Sequence, residues 1–159
     1  MKRVVITGMG INSCIGNTLE EVNHSLQNGI SGTRLNPVYQ ELNFKSHVSA
    51  AAAQDFDGID RRLKRFMGVC AMYAYNSALA AVEQAGLTAE QLGGNPRYGI
   101  AGGSGGGSTA SVIEMNELLQ SKGARKVGPF FVPRNMTNTI TANVGVAFTS
   151  QGISHTTTS

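Results

Sequence analysis

Apolar and polar positions follow two rhythms along this chain, and each change of rhythm marks an element. Residues 4–7, Val-Val-Ile-Thr, form a short β-branched run of the kind that makes a buried strand. Gly8 and Gly10 then end it in a tight turn, which residues without a Cβ make at little cost. Thr18 and Glu21 have the Thr-x-x-Glu spacing of a capping box, predicting a helix over 19–28 that Gly29 stops. Both rhythms fade over 30–57, where Gly32, Pro37 and a polar mixture predict an excursion from the main fold; we take this irregular insertion to residue 65. The clearest helix covers 66–85, with Met72, Tyr75, Leu79 and Val82 spaced three, four and three apart. Its alanines, at 71, 74, 78, 80, 81 and 85, leave it slim and suited to close packing, and Gly86 is its expected C-cap. Thr88 and Gln91 predict a second, short capped helix.

Residues 98–101 read as the next buried strand, opening into the glycine run 102–107. Residues 110–121 follow as an amphipathic helix carrying Val112, Ile113, Met115, Leu118 and Leu119, stopped by Gly123. Residues 136–148 stay undecided, because their threonines, asparagines and valines are poor helix formers. Residues 153–159 read as a strand. Strand and helix in alternation point to an α/β domain with a largely parallel sheet.

Composition narrows the class. A chain of 159 residues and 16.7 kDa, 41% hydrophobic and 14% charged, is long enough for one folded domain with a core. No apolar run approaches the roughly 20 residues that span a membrane, and the N-terminus has no signal-peptide pattern, so a cytoplasmic protein is expected. Cys14 and Cys70 give no disulfide framework, in keeping with a reducing compartment. A net charge of +3 favours an acidic partner. Nucleic acid is the weakest such candidate, with 6% aromatics, no tryptophan and no zinc-finger or RNA-recognition motif.

Two glycine motifs suggest chemistry. Gly8-x-Gly10-x-x-Ser13 approaches a dinucleotide fingerprint, but its third glycine is serine and no acidic residue sits near position 30 to hold a ribose. A plain strand-to-helix turn is the better reading. Gly102-Gly-Ser104-Gly-Gly106 matches the G-x-S-x-G nucleophile elbow, and Glu114, Glu117 and His155 follow in an order that a serine hydrolase permits. A glycine loop in which backbone makes room for something is the plainer alternative. No Cys/His/Asp cluster has metal-ligand spacing.

The run from Lys2 to Asn17, Lys-Arg-Val-Val-Ile-Thr-Gly-Met-Gly-Ile-Asn-Ser-Cys-Ile-Gly-Asn, resembles the N-terminal signature of the β-ketoacyl-acyl carrier protein synthases, thiolase-fold condensing enzymes of fatty acid synthesis. The resemblance continues through Asp60-Arg-Arg-Leu-Lys-Arg-Phe-Met67, the stretch from Asn95 to Ser108, and Val127-Gly-Pro129, and spans the whole chain. Lys45-Ser-His-Val48 and Gly107 resemble the type I synthases. By this resemblance residues 1–159 are most of the first half of a thiolase-like α/β fold, a mixed, largely parallel sheet with helices on both faces. The family's nucleophilic cysteine would follow within a couple of residues of Ser159, and its two catalytic histidines would belong to the second half. Cys14 and Cys70 do not match the nucleophile, and His24, His47 and His155 match no catalytic position, so the chain alone is expected to be inactive. The absence of the cysteine helix is also expected to leave apolar surface exposed and to favour aggregation.

The resemblance further implies roles for particular positions. Gly105, Gly106 and Gly107 would lie beside the acyl pocket. Met136 would reach the partner subunit's pocket from a helix that pairs subunits in a homodimer, and simple core packing accounts for it equally well. Arg61, Arg62, Arg65, Lys122 and Arg125 would form the rim that docks acyl carrier protein, which also delivers the phosphopantetheine arm. Either basic cluster alone reads as an ordinary solvated face; two at matching places favour docking. No metal or redox cofactor is implied. Three readings follow: the N-terminal part of a synthase, a non-catalytic fragment that binds carrier protein or a synthase subunit, and a small hydrolase using Ser104.

Overall fold

The computed structural model describes residues 2–52 and 55–158. Ser159, the last residue of the strand expected at 153–159, lies outside them, as do residues 53 and 54 of the expected insertion.

The first helix, α1 (Leu19–Gln27), starts at the predicted capping box: the Thr18 hydroxyl accepts from the Glu21 N–H, and the Glu21 carboxylate accepts from the Thr18 N–H. Between α1 and the long central helix the chain is not formless. Strands β1 (Arg34–Leu35) and β2 (Val48–Ser49) pair antiparallel around a short helix α2 (Pro37–Glu41), with Tyr39 and Phe44 stacked 5.0 Å apart. One turn of helix, α3 (Arg61–Lys64), follows, and then α4 (Val69–Gln84). The sequence expectation began α4 three residues early, because residues 66–68 turn between α3 and α4 and Gly68 is the N-cap. Ala71 is fully buried in a cluster with Ile59 and Met67, flanked by Phe56, Leu63, Met72 and Tyr75.

Helix α5 (Ala89–Leu92) carries the second predicted capping box, Thr88 with Gln91. Strand β3 (Ile100–Ser104) leads to α6 (Thr109–Lys122), capped by the Ser108 hydroxyl and ended at Gly123, whose φ of 78° suits glycine. A 3₁₀ turn (Ala124–Lys126), α7 (Phe131–Asn135) and α8 (Thr139–Ala147) precede strand β4 (Ser154–Thr158). Strands β3 and β4 are parallel, with Ile100 opposite Ser154 and Ser104 opposite Thr158. Helix α8 lies between α4 and this pair, and Tyr75 of α4 stacks on Phe148 beyond the end of α8.

Three expectations are corrected. Residues 4–7 are not a buried strand: they enter no ladder among the described residues, and Val4 and Ile6 are 91% and 81% exposed. A β-branched run is suited to burial, but a strand needs a neighbouring edge within hydrogen-bonding reach. Gly8 and Gly10 are glycines because their backbone presses on α4, where a Cβ would strike the carbonyls of Ala81 and Ser77; neither has positive φ. Helix α6 presents Ser111, Met115 and Leu118 inward, leaving Val112, Ile113 and Leu119 exposed. Its inner face is thus built on a buried serine rather than on its largest hydrophobes.

The undecided stretch 136–148 is settled as mainly helical. Thr139, Thr141 and Asn143 of α8 are buried, and their polar groups are satisfied at close range. Asn143 Nδ2 donates to the Thr139 carbonyl (2.9 Å), the Thr139 hydroxyl (3.0 Å) and the Phe66 carbonyl of the α3–α4 turn (3.3 Å). The Thr141 hydroxyl bonds the Asn138 carbonyl and pairs with Thr156 of β4. Packing and these bonds outweigh weak intrinsic propensity.

Candidate carrier-docking face and glycine loop

The basic residues divide by what holds them. Asp60 caps α3, its carboxylate accepting from the Arg62 N–H at 2.7 Å, and this presents Arg61 and Arg62 to solvent. Lys64 is engaged, donating to the Phe56 carbonyl (3.0 Å) and lying 3.6 Å from Asp57. The Arg65 guanidinium rests against two rings, 4.8 Å from the centroid of Phe66 and 4.6 Å from that of Phe130, which meet edge to face. Asp60, Arg61, Arg62 and Arg65 line an open depression.

Lys122 closes α6 and Arg125 sits in the 3₁₀ turn, both exposed. Phe130 lies five residues after Arg125, and five residues reach at most about 18 Å. The Arg65–Phe130 contact therefore ties α3 to the segment that follows Arg125. Sequence reading placed both clusters but missed this link; the pair Phe130-Phe131 after Gly128-Pro129 was the available signal.

The glycine loop also comes to order. Added Cβ atoms at Gly105 and Gly106 would meet open space, whereas one at Gly107 would strike the backbone of Asn135. That contact sets the loop against Asn135, next to Met136, which caps α7 and is 41% exposed. Gly107 is thus required by close packing on α7, and the four expected pocket residues gather at one place. An apolar hollow of about 310 Å³, lined by Ala81, Ile100, Val144 and Phe148 among others, includes none of them.

A hydrolase site does not assemble. Ser104 Oγ donates to the Gly106 carbonyl at 2.6 Å. His155 pairs with Ala101 rather than with a residue on the Ser104 face, so alternation turns it to the other side of the sheet. Glu114 is bound to Arg134 instead. The dinucleotide reading fails similarly, because the α1 N-terminus is filled by Thr18 and Glu21 while the Met9 N–H donates to Gln84 (2.7 Å). Cys14 and Cys70 are half-buried free thiols; Cys70 is the second residue of α4, and Cys14 packs on the backbone of Gly32. His24, His47 and His155 are exposed. Among the described residues no group of three or more His, Cys, Asp or Glu side chains could hold a metal, and no helix is long and apolar enough to cross a membrane. Glu90 is held below the usual carboxylate value by its own backbone N–H and the Thr88 hydroxyl, on α5.

Known proteins give this geometry a family. The model of the "Beta-ketoacyl synthase, N-terminal domain" matches residues 1–159. The chain is 38% identical over 157 residues to 3-oxoacyl-[acyl-carrier-protein] synthase 1 of Haemophilus influenzae, covering 98% of this chain and 38% of that one. The Escherichia coli synthase 1 is likewise 38% identical, with 98% and 39% covered. The chain therefore spans about two fifths of the length of these relatives. A crystal structure of a β-ketoacyl synthase from Burkholderia phymatum superposes with a TM-score of 0.82 at 30% identity, over all of this chain and 40% of that one. A type II PKS ketosynthase in complex with its acyl-carrier protein shares the fold, with a TM-score of 0.75 at 18% identity over 97% of this chain and 41% of that one. The α/β elements found here are thus an incomplete thiolase-like fold, and the chain belongs to the β-ketoacyl synthase family as its N-terminal domain.

Proposed function

We propose that this chain supplies the carrier-docking face and part of the acyl pocket of a 3-oxoacyl-acyl carrier protein synthase in fatty acid biosynthesis. The reaction is a decarboxylative Claisen condensation. An acyl group passes from a carrier thioester to a cysteine thiolate, freeing the carrier thiol. A malonyl thioester loses carbon dioxide, and the carbanion left behind attacks the acyl-cysteine carbonyl, expelling the thiolate and lengthening the chain by two carbons. Neither cysteine nor any histidine of this chain is placed for that chemistry, so its own part is binding. Substrate arrives on the phosphopantetheine arm of the carrier protein, without metal or redox cofactor.

The observation that supports this reading is the stacking of Arg65 on Phe66 and Phe130, which ties the basic end of α3 to the segment that follows Arg125. Arg61, Arg62, Lys122 and Arg125 are exposed and available to an acidic protein, whose encounter complementary charge would speed and orient. Gly105, Gly106, Gly107 and Met136 then form one wall of the acyl pocket, and Val132 and Val146, 65% and 67% exposed, suit a subunit interface in a homodimer. A cytoplasmic location fits this role. Titration of the chain with acyl carrier protein tests it: reversing both Arg62 and Lys122 to glutamate should weaken binding by roughly tenfold, about 1.4 kcal/mol. Unchanged affinity would remove the docking face.

A further inference from the structure

We propose that Arg134 is a positioning residue that couples the docking face to the acyl-pocket wall, so that engagement of an acidic carrier protein is felt at Met136. The inference rests on the docking reading above.

Arg134 lies on α7, two residues before Met136, yet its side chain serves other elements. Its Nε donates to the backbone carbonyl of Arg65, 69 residues away, at 2.9 Å. Its Nη1 bonds the Glu114 carboxylate of α6 at 3.2 Å, and its guanidinium lies 5.3 Å from the Phe131 ring centroid. One planar fork thus joins the end of α3, the middle of α6 and α7 itself, a task that suits arginine better than a point charge such as lysine. The side chain is only 21% exposed, so these bonds are partly shielded from water.

Backbone contacts make the junction stiff. A Cβ on Gly68 would lie 2.6 Å from Ser108 Cβ and 3.0 Å from the Arg134 carbonyl. A Cβ on Gly107 would strike Asn135. The α3–α4 turn, the glycine loop and the end of α7 therefore touch with almost no side chain between them. Displacement of α3 on docking cannot be absorbed by a flexible layer and passes through Arg65 and Arg134 to residues 135 and 136. Close-packed contacts of this kind transmit small shifts.

The test uses the chain labelled with ¹³C at its methionine methyls, the Met136 resonance being assigned with Met136→Leu, and titrated with phosphopantetheinylated acyl carrier protein. The unsubstituted chain should show a Met136 shift that saturates with binding. Arg134→Lys keeps the charge opposite Glu114 but loses the planar fork; it should cut the Met136 shift at least twofold while carrier affinity changes by less than twofold. Arg134→Ala should abolish the shift, again with affinity nearly kept. A Met136 shift that is absent in the unsubstituted chain despite binding, or undiminished in Arg134→Lys, overturns the coupling and leaves docking intact. An affinity loss in Arg134→Lys as large as in Arg62→Glu also overturns it, since Arg134 would then be a docking contact. Failure of the carrier to bind the unsubstituted chain at all refutes the docking reading and the coupling with it.

Discussion

Two short regions of this molecule invert the usual rule of burial. Residues 4–6, Val-Val-Ile, are among the most apolar in the chain, yet Val4 and Ile6 stand 91% and 81% exposed. Thr139, Thr141 and Asn143, which look like surface or turn residues, are 0%, 2% and 7% exposed at the centre of α8. The difference lies in what surrounds each segment. The α8 residues meet α4, β3 and β4, and every donated bond of Asn143 finds a nearby acceptor, so desolvation costs little. Residues 4–6 precede the stretch that meets α4, where Gly8 and Gly10 pack on it and Met9 bonds Gln84, and they enter no ladder among the described residues. Burial follows from the neighbours available and from satisfied hydrogen bonds as much as from side-chain type.

Substitutions on the two regions should separate accordingly. The largest effect is expected for Asn143→Leu, which removes the bonds to Phe66 and Thr139 inside a packed helix: about 3 kcal/mol of stability, read from urea unfolding. A loss below about 0.5 kcal/mol would mean that apolar volume alone holds α8. Gly68→Ala should cost about 2 kcal/mol, because its Cβ meets Ser108 and the Arg134 backbone; the same unfolding curve decides. Thr139→Val keeps shape and deletes one hydroxyl acceptor of Asn143, and should cost about 1 kcal/mol. At the other region, Val4→Lys with Ile6→Lys should change unfolding stability by less than about 0.5 kcal/mol. The double change should instead reduce self-association in sedimentation velocity, since it interrupts an exposed apolar patch. Equal stability losses at both regions would dissolve the contrast.

What was legible in the sequence was local. Both capping boxes and the glycine stop of α6 are written within a few residues, and the structure places them where they were expected. The parallel sense of β3 and β4 followed from the strand–helix–strand rhythm. Less visible was everything that depends on distant partners. Helix α8 draws its stability from α4 and the strands, which propensity does not register. The inner face of α6 was misjudged because Ser111, not Ile113, is the residue that meets the Ser108 cap and packs inward. At the candidate site the arginines could be counted from the sequence, but not sorted. That Arg65 lies against two rings and Arg61 does not depends on Phe130, 65 residues later. Arg134, flanked by Pro133 and Asn135, carries no local sign of its partners 20 and 69 residues away.

The bond from Asn143 to the Phe66 carbonyl spans 77 positions of sequence, and this has a bearing on how the protein is born. Chains emerge from the ribosome at roughly 5–20 residues per second. The turn between α3 and α4 therefore waits about 4 to 15 s, at that pace, before the asparagine that anchors it has been made. During this interval helix α4 can coil from its own alanines and the Ile59–Met67–Ala71 cluster can seat the turn on it, but the ties of that turn to Phe130, Arg134 and Asn143 are still to be made. The surface that would meet a carrier protein is thus braced in two stages, first from within residues 56–75 and later from α7 and α8.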